Sequence, residues 1–358
     1  MAKSAPSKNS LATGIHAAVE LPAVFVDKYN IETKDDGEFI GDRVSGRAFR
    51  RLLDERRKAL AKHGPDPLGE QSSAEVSKKK LDKILLDGDP KAASVIIGVV
   101  ADFGETLADV IRRFRKTKDW NDVSSITVGG GLRQSRIGEL IIGRAATILQ
   151  SDGVDIDMFP IQHHPDQAGL IGAVQLTPPW MLSGFDEILA VDVGGSNIRA
   201  GIIALNGKKA PDFSAAEVTE FEHWRHAEDD PNRQEAIDRL VDMLKNLIRK
   251  SKRAKRKLAP MIGVGCPGAI TPDGQIQKGG QNLPGNWESS RFNLPDIIEE
   301  KIPTIGEHET FVVMHNDAVV QGLSQVPFMR DHRHWAVLTM GTGLGNAVFT
   351  NKDVEKTK

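Results

Sequence analysis

The sequence predicts an α/β fold in two domains, and three observations carry that prediction. Short β-branched apolar runs alternate along the chain with longer stretches of helical spacing. Two strand pairs double back through glycine-rich turns, EILAVDVGGSNIRAGIIAL at 187–205 and WAVLTMGTGLGNAVF at 335–349. The 358 residues also exceed the size at which one hydrophobic core usually stops growing.

Composition narrows the function classes. Hydrophobic residues at 39% and charged residues at 27% are an ordinary balance for a soluble globular protein. A formal net charge of −2 gives no global attraction to nucleic acid or an anionic membrane. The one cysteine, Cys266, excludes an internal disulfide framework and a cysteine-rich zinc site. No apolar run reaches the length of a membrane span. The polar start, MAKSAPSKNSLATG, lacks the apolar core of a signal peptide; a disordered tail on a cytoplasmic protein is expected.

Taken in order, HAAVELPAVFVD (16–27) reads as a strand or extended segment in which Glu20 is an edge-strand charge rather than a ligand. Ser45 opens a helix through Phe49, Leu52, Leu53 and Leu60, and residues 63–80 are a Pro- and Gly-punctuated loop. Asp89-Pro90 opens a long helix whose stripe Val95, Val99, Phe103, Leu107, Val110 and Phe114 is core. Its basic end, RRFRKTK, suits the negative end of the helix dipole. SITVGGGL (125–132) is a strand running into Gly129, Gly130 and Gly131, with a helix next. That order brings backbone close to a ligand with a helix N-terminus facing it, or else makes a plain tight turn. After a strand at 154–161, AGLIGA is a small-residue helix able to pack closely, and His163-His164 lacks a third metal ligand. Residues 177–186 form a linker.

The hairpin VGGSN follows the first long strand, with Asp192 at the strand's end and Arg199 inside the next. Gly194 and Gly195 permit backbone conformations closed to other residues, so N–H groups can turn toward an anion. Ser196 and Asn197 add side-chain donors, and Asp192 is placed to hold a hydrated cation; a plain Gly-Gly hairpin is the alternative. Residues 231–250 form an amphipathic helix ending in the basic run RKSKRAKRK, a solvated end without interleaved aromatics. Gly263, Gly265 and Gly268 match G-x-G-x-x-G, but the prolines and turn that follow exclude a dinucleotide-binding helix. QNLPGNW (281–287) is an amide-rich loop suited to a polyol or to a turn. Asn316 and Asp317 stand where a strand meets a helix, as caps or at a strand-end ligand crevice. Gly341, Thr342 and Gly343 form a second glycine hairpin able to hold phosphate through N–H groups.

The set DVGGSNIR, GVGCPGAI, NLPGNW, HNDA, MGTGLG and VGGGL resembles the ROK-family sugar kinases, glucokinase-like members of the actin, hexokinase and heat-shock chaperone ATPase superfamily. The resemblance covers roughly residues 37–176 and 187–349, but its order is rotated: VGGGL and AGLIGA come last in the family and first here. A circular permutation, joined through the linker 177–186, is the expected explanation. The resemblance implies two ribonuclease-H-like (actin-like ATPase) α/β domains with a central cleft. One would be residues 187–312 and the other 1–165 plus 313–358, with 166–186 crossing between them.

The implied activity is ATP-dependent phosphorylation of a hexose or related polyol, with Mg2+ and no structural zinc. Asp317 is implied as the base that accepts the sugar hydroxyl proton, and Asn316, Asn282, Glu20 and His16 as sugar-binding. Asp192 would hold Mg2+ through water; Gly194, Gly195, Ser196, Asn197, Gly341, Thr342 and Gly343 would face the phosphates, and Gly129–Gly131 the adenosine. The family's Glu-x-Gly-His segment aligns best with VELPAVFVD, giving Glu20 but Ala23 in place of the His, with His16 a nearby substitute. That departure leaves open another acceptor or an impaired enzyme. Polyphosphate as donor, or a non-catalytic sugar or nucleotide sensor, are the alternatives, and the family implies a homodimer.

Overall fold

The structure is a computed structural model that describes residues 15–35 and 37–352; the polar tail 1–14 lies outside them. Two five-stranded sheets organise the fold. In chain order their strands are β1 (Val24–Tyr29), β2 (Ser125–Gly130), β3 (Asp157–Pro160), β4 (Glu187–Val193) and β5 (Ile198–Ala204). Then come β6 (Glu217–Trp224), β7 (Leu258–Cys266), β8 (Phe311–Asn316), β9 (His334–Met340) and β10 (Leu344–Asn351). The principal helices are α1 (Gly46–Ala61), α2 (Lys78–Asp87), α3 (Pro90–Phe114) and α4 (Arg136–Ser151). They are followed by α5 (Pro165–Gly172), α6 (Arg233–Arg253), α7 (Leu294–Lys301) and α8 (Asp317–Leu323).

One sheet runs β6-β5-β4-β7-β8. β4, β5 and β6 are antiparallel neighbours, while β7 is parallel to both β4 and β8. The other runs β1-β10-β9-β2-β3, with β9, β2 and β3 parallel. Numbered from Glu187 onward through the end and then from the start, each sheet has strand order 3-2-1-4-5. Numbered from residue 1, the two orders differ.

Among the described residues, the compact units are residues 31–165 with 332–348, and residues 15–30 with 166–331 and 349–352. The expected partition at 165 and 313 differs from this, and β8 supplies the reason. It pairs in parallel with β7 from Phe311↔Met261 to Asn316↔Cys266, so the strand and the α8 that follows it belong with residues 187–312. The segment at 16–18 extends the same edge, Ala17 N donating to Met314 O at 2.9 Å. The expected strand at 16–27 is therefore split: an edge segment, a tight hairpin bridging Glu20 to Phe25, then β1.

Helix signals in the sequence act as physical chemistry requires. Ser45 accepts from Ala48 N at the head of α1, and Asp89 from Lys91 N and Ala92 N at the head of α3. α6 starts with a capping box between Asn232 and Glu235. The α3 stripe is buried with Phe49, Ile141 and Ile126 in the core of residues 31–165 and 332–348. In the other unit Leu240, Leu244 and Leu247 of α6 are buried with Val191 and Ile198. The loop before α2 is held largely by a buried guanidinium: Arg57 donates to Asp66 Oδ2 (2.7 Å), Gly69 O (2.8 Å) and Ser73 Oγ (3.1 Å), and Arg50 Nη1 adds Ser73 O at 2.9 Å.

Candidate active site

In the unit that contains β4 through β8, parallel register brings the carboxyl ends of β4, β7 and β8 to one row. Asp192 lies opposite Gly265, and Asn316 opposite Cys266, so Asp317 projects one residue beyond the row. Outer strands of such a trio stand roughly 10 Å apart. The strand between contributes no bulk: a Cβ on Gly265 would lie 3.5 Å from Asp317 Cα. This is the strand-end crevice of open α/β sheets.

Two carboxylates here are perturbed by burial and by neighbouring charges. Burial, then the charge of Asp192, pushes Asp317 up to about 7, against the N–H of Ala318, which donates to its Oδ1 at 2.9 Å. Burial raises Asp192 too, opposed by Arg199 and reinforced by the charge of Asp166. Arg199 bridges both partners, Nη1 to Asp192 Oδ2 at 3.2 Å and Nη2 to Asp166 Oδ1 at 2.8 Å. Asp166 opens α5, which approaches so closely that a Cβ on Gly169 would lie 3.0 Å from Asp192 Cγ. The Cys266 thiol, buried beside both carboxylates, is held well above its ordinary range.

The VGGSN hairpin departs from the expectation in one respect. Neither Gly194 nor Gly195 has a positive φ. What they supply is space: a Cβ on Gly195 would lie 3.0 Å from Asn282 Cβ, and one on Gly194 3.3 Å from Asn197 O. The loop's acceptors are turned inward. Gly194 O takes His226 Nε2 at 2.8 Å, Asn197 O takes Gly194 N at 2.8 Å, and Ser196 O takes Ala227 N at 3.3 Å.

The residues implied to bind sugar separate into distinct environments. Asn282 is exposed beside Gly195. Asn316 is wholly buried and spends its side chain structurally. Its Oδ1 caps α8 by accepting from Ala318 N and Val319 N, and its Nδ2 donates to Gly268 O at 3.1 Å. Its side chain also hydrogen-bonds the Asp317 carboxylate. Glu20 is an exposed charge on the hairpin before β1, paired with Lys352 at 2.9 Å, as its edge reading expected. His16 does not face Asp317 in any described contact. Its Nδ1 accepts from Met314 N at 3.1 Å, its ring lies against Gly274, and its pKa is lowered by burial against the charges of Asp296 and Asp273.

In the other unit, Gly129 and Gly130 pair with Thr339 and Met340 at the ends of β2 and β9. Gly130 has φ +89°, and a Cβ there would meet Met340 O at 2.2 Å, so only glycine fits. Gly131 O accepts from Lys78 Nζ at 2.5 Å. The helix that follows does not offer its N-terminus to an anion, contrary to one sequence reading: Asp82 takes Arg136 N and Ile137 N, both at 3.1 Å. The turn Gly341-Thr342-Gly343 closes through Gly341 N to Gly343 O at 2.9 Å, and Gly341 O accepts from Gly46 N. Gly343 has open space around its Cα.

Sequence reading alone missed Asp166, His223, His226, Lys78 and Asp82 as site-building residues. Arg199 was visible, and its cross-strand pairing with Asp192 follows from the two-fold alternation of a short hairpin. Asp166 lies in a different stretch of chain and gives no local signal. Among the described residues, no three His, Cys, Asp or Glu side chains group as a metal-binding cluster. No helix among them is long and apolar enough to cross a membrane.

Comparison with known proteins gives the following matches. Residues 188–356 match the model of the ROK family. A glucokinase of Thermotoga maritima is 24% identical over 165 residues, covering 46% of this chain and 45% of the relative. The chain thus spans about half the length of the curated relative it matches. Among solved structures, a ROK hexokinase from Thermus thermophilus has 20% identity and a TM-score of 0.31, covering 47% of this chain and 49% of that one. A ROK-family glucokinase from Streptomyces griseus, in complex with glucose and AMPPNP, has 18% identity and a TM-score of 0.34, covering 48% and 47%.

Proposed function

We propose, from the match of residues 188–356 to the ROK family model, that the protein phosphorylates a hydroxyl of a small sugar or related polyol with ATP, Asp317 acting as general base. The observation that carries the proposal is the carboxylate pair at one strand-end row, with Asp317 pushed up to about 7 beside Asp192. A base poised near neutral pH matches the task of taking a proton from an alcohol as it attacks phosphorus. Phosphoryl transfer otherwise requires positioning and charge neutralisation, which the inward-turned acceptors of Gly194–Asn197 favour.

A magnesium ion fits the donors present. Mg2+ keeps several waters and needs one or two carboxylates plus phosphate oxygens, and Asp192 is a partly buried hard donor already raised by its surroundings. When bound, the ion neutralises phosphate charge. Arg199, fixed to Asp166, orients the Asp192 carboxylate. Asn316 holds the start of α8, and so Asp317, in place. Asn282 is the assigned sugar-hydroxyl contact. Gly341, Thr342, Gly343 and Gly129–Gly131 are assigned to the nucleotide by the resemblance.

The rotated motif order is read as a circular permutation. The shared 3-2-1-4-5 strand order supports it, as does the adjacency of β1 and β10, where Lys352 N donates to Ala23 O at 3.0 Å. A homodimer in the cytoplasm completes the reading. An ADP-release assay over a panel of hexoses, N-acetylhexosamines and polyols tests it. Turnover is expected with at least one of them, and Asp317→Asn should lower kcat by about a hundredfold to ten-thousandfold. Thermal stabilisation by sugar or nucleotide without turnover would identify a sensor instead. Turnover with polyphosphate but not ATP would change the donor.

A further inference from the structure

Two histidines outside every motif hold the acceptors of the VGGSN hairpin. His226, buried after β6, places Nε2 2.8 Å from Gly194 O. His223, the cross-strand neighbour of Arg199, places Nε2 2.8 Å from Asn197 Oδ1. A carbonyl or carboxamide oxygen only accepts, so in both contacts the ring nitrogen carries the hydrogen. The neutral Nε2–H tautomer and the imidazolium both satisfy that requirement. With Oδ1 engaged, the Asn197 amide is fixed with its NH2 turned away from His223. Were the amide reversed, a partial negative charge would stand at the mouth of the loop.

The geometry points to His223 as a positioning residue for the donor's phosphates. By holding Asn197 Oδ1 it makes Asn197 present N–H donors, as His226 does for the backbone by holding Gly194 O. This rests on the reading of the hairpin as a phosphate cradle. A polyphosphate in this loop then meets donors from the backbone and from Asn197, with the Gly194 and Ser196 carbonyls withdrawn.

The test compares His223→Gln, whose terminal amide can reproduce the Nε2–H donor, with His223→Ala, which removes it; both sit at an exposed position. Affinity for the non-hydrolysable imido analogue of ATP with magnesium is read by calorimetry in wild-type and Asn197→Ala backgrounds. His223→Gln is expected within about twofold of wild type. His223→Ala should weaken binding by about three- to tenfold, the share of one neutral hydrogen bond, and by nothing further once Asn197 is alanine. Sugar affinity should not move. Ring 15N spectra at pH 7.5 should show the hydrogen on Nε2 of His223. Equal affinity of wild type and His223→Ala, an equal loss in the Asn197→Ala background, or an Nδ1–H tautomer overturns the inference alone. Wild type that binds neither the analogue nor tripolyphosphate overturns the kinase reading together with it.

Discussion

Asp317 combines a crowded, partly buried position with a carboxylate neighbour two strands away, and its titration follows from both. Its folded-state pKa of about 7 lies above the unfolded value of 3.8. An acid shifted upward favours the folded state most when protonated, so that contribution is full below about pH 4 and is lost as pH rises through 7. Two outcomes are expected. The profile of kcat/KM, which reports the free enzyme, should fall on the acid side with a midpoint near pH 7. Asp317→Asn, which can still accept the Ala318 N–H, should melt above wild type at pH 8, with the difference shrinking toward pH 4. A wild-type acid limb below pH 5 would contradict this account. At this scale the sequence was legible where a residue type has one local chemistry, as with the caps Ser45 and Asp89. It misled where one residue type serves two purposes. Gly194 and Gly195 were read as conformational devices and prove to be gaps for Asn282 and for the loop itself. His16 sits near the edge of β8, but its ring turns to Asp273, Gly274 and Asp296, which no spacing rule reveals.

Elements meet at the close approaches that glycine permits, and these separate structural from functional glycines. A Cβ at Gly172, the last residue of α5, would stand 1.7 Å from Val320 O in α8. Gly172→Ala should cost about 3 kcal/mol or more in denaturant unfolding, because backbone has to move. Gly343 has nothing within 4 Å and no positive φ, so Gly343→Ala should leave stability within about 0.5 kcal/mol. If a phosphate approaches there, the same change should raise the KM for ATP severalfold. A drop in stability without a change in KM would move Gly343 to the structural class. Arg57→Ala should release the loop at 63–77, at about 2 kcal/mol, since it leaves Asp66 and two other acceptors without their shared donor. Helix periods made α1, α3 and α6 readable to within a few residues. The order in residues 63–77 was not readable, because it comes from hydrogen bonds of Arg50 and Arg57 in the preceding helix rather than from a repeating pattern.

At the scale of the whole molecule, both sheets have strand order 3-2-1-4-5 when strands are numbered from Glu187 through the end and on from the start. Motif order could be read directly from the sequence. The domain partition could not, because it depends on which strand β8 joins, and an apolar run of four residues fits beside either sheet equally well. A chain reopened between 177 and 186, with its present ends joined through a short flexible linker, should fold with the same far-UV spectrum and keep its activity. Loss of folding would mean that the present order is required. The claim on which the rest depends is transfer of phosphate from ATP to a sugar hydroxyl. Phosphorus NMR of the protein with ATP, magnesium and the sugar panel observes it directly. The account predicts a sugar phosphomonoester resonance growing one for one with ADP, absent with Asp317→Asn. Inorganic phosphate as the only product, or an unchanged ATP spectrum across the panel, would contradict it.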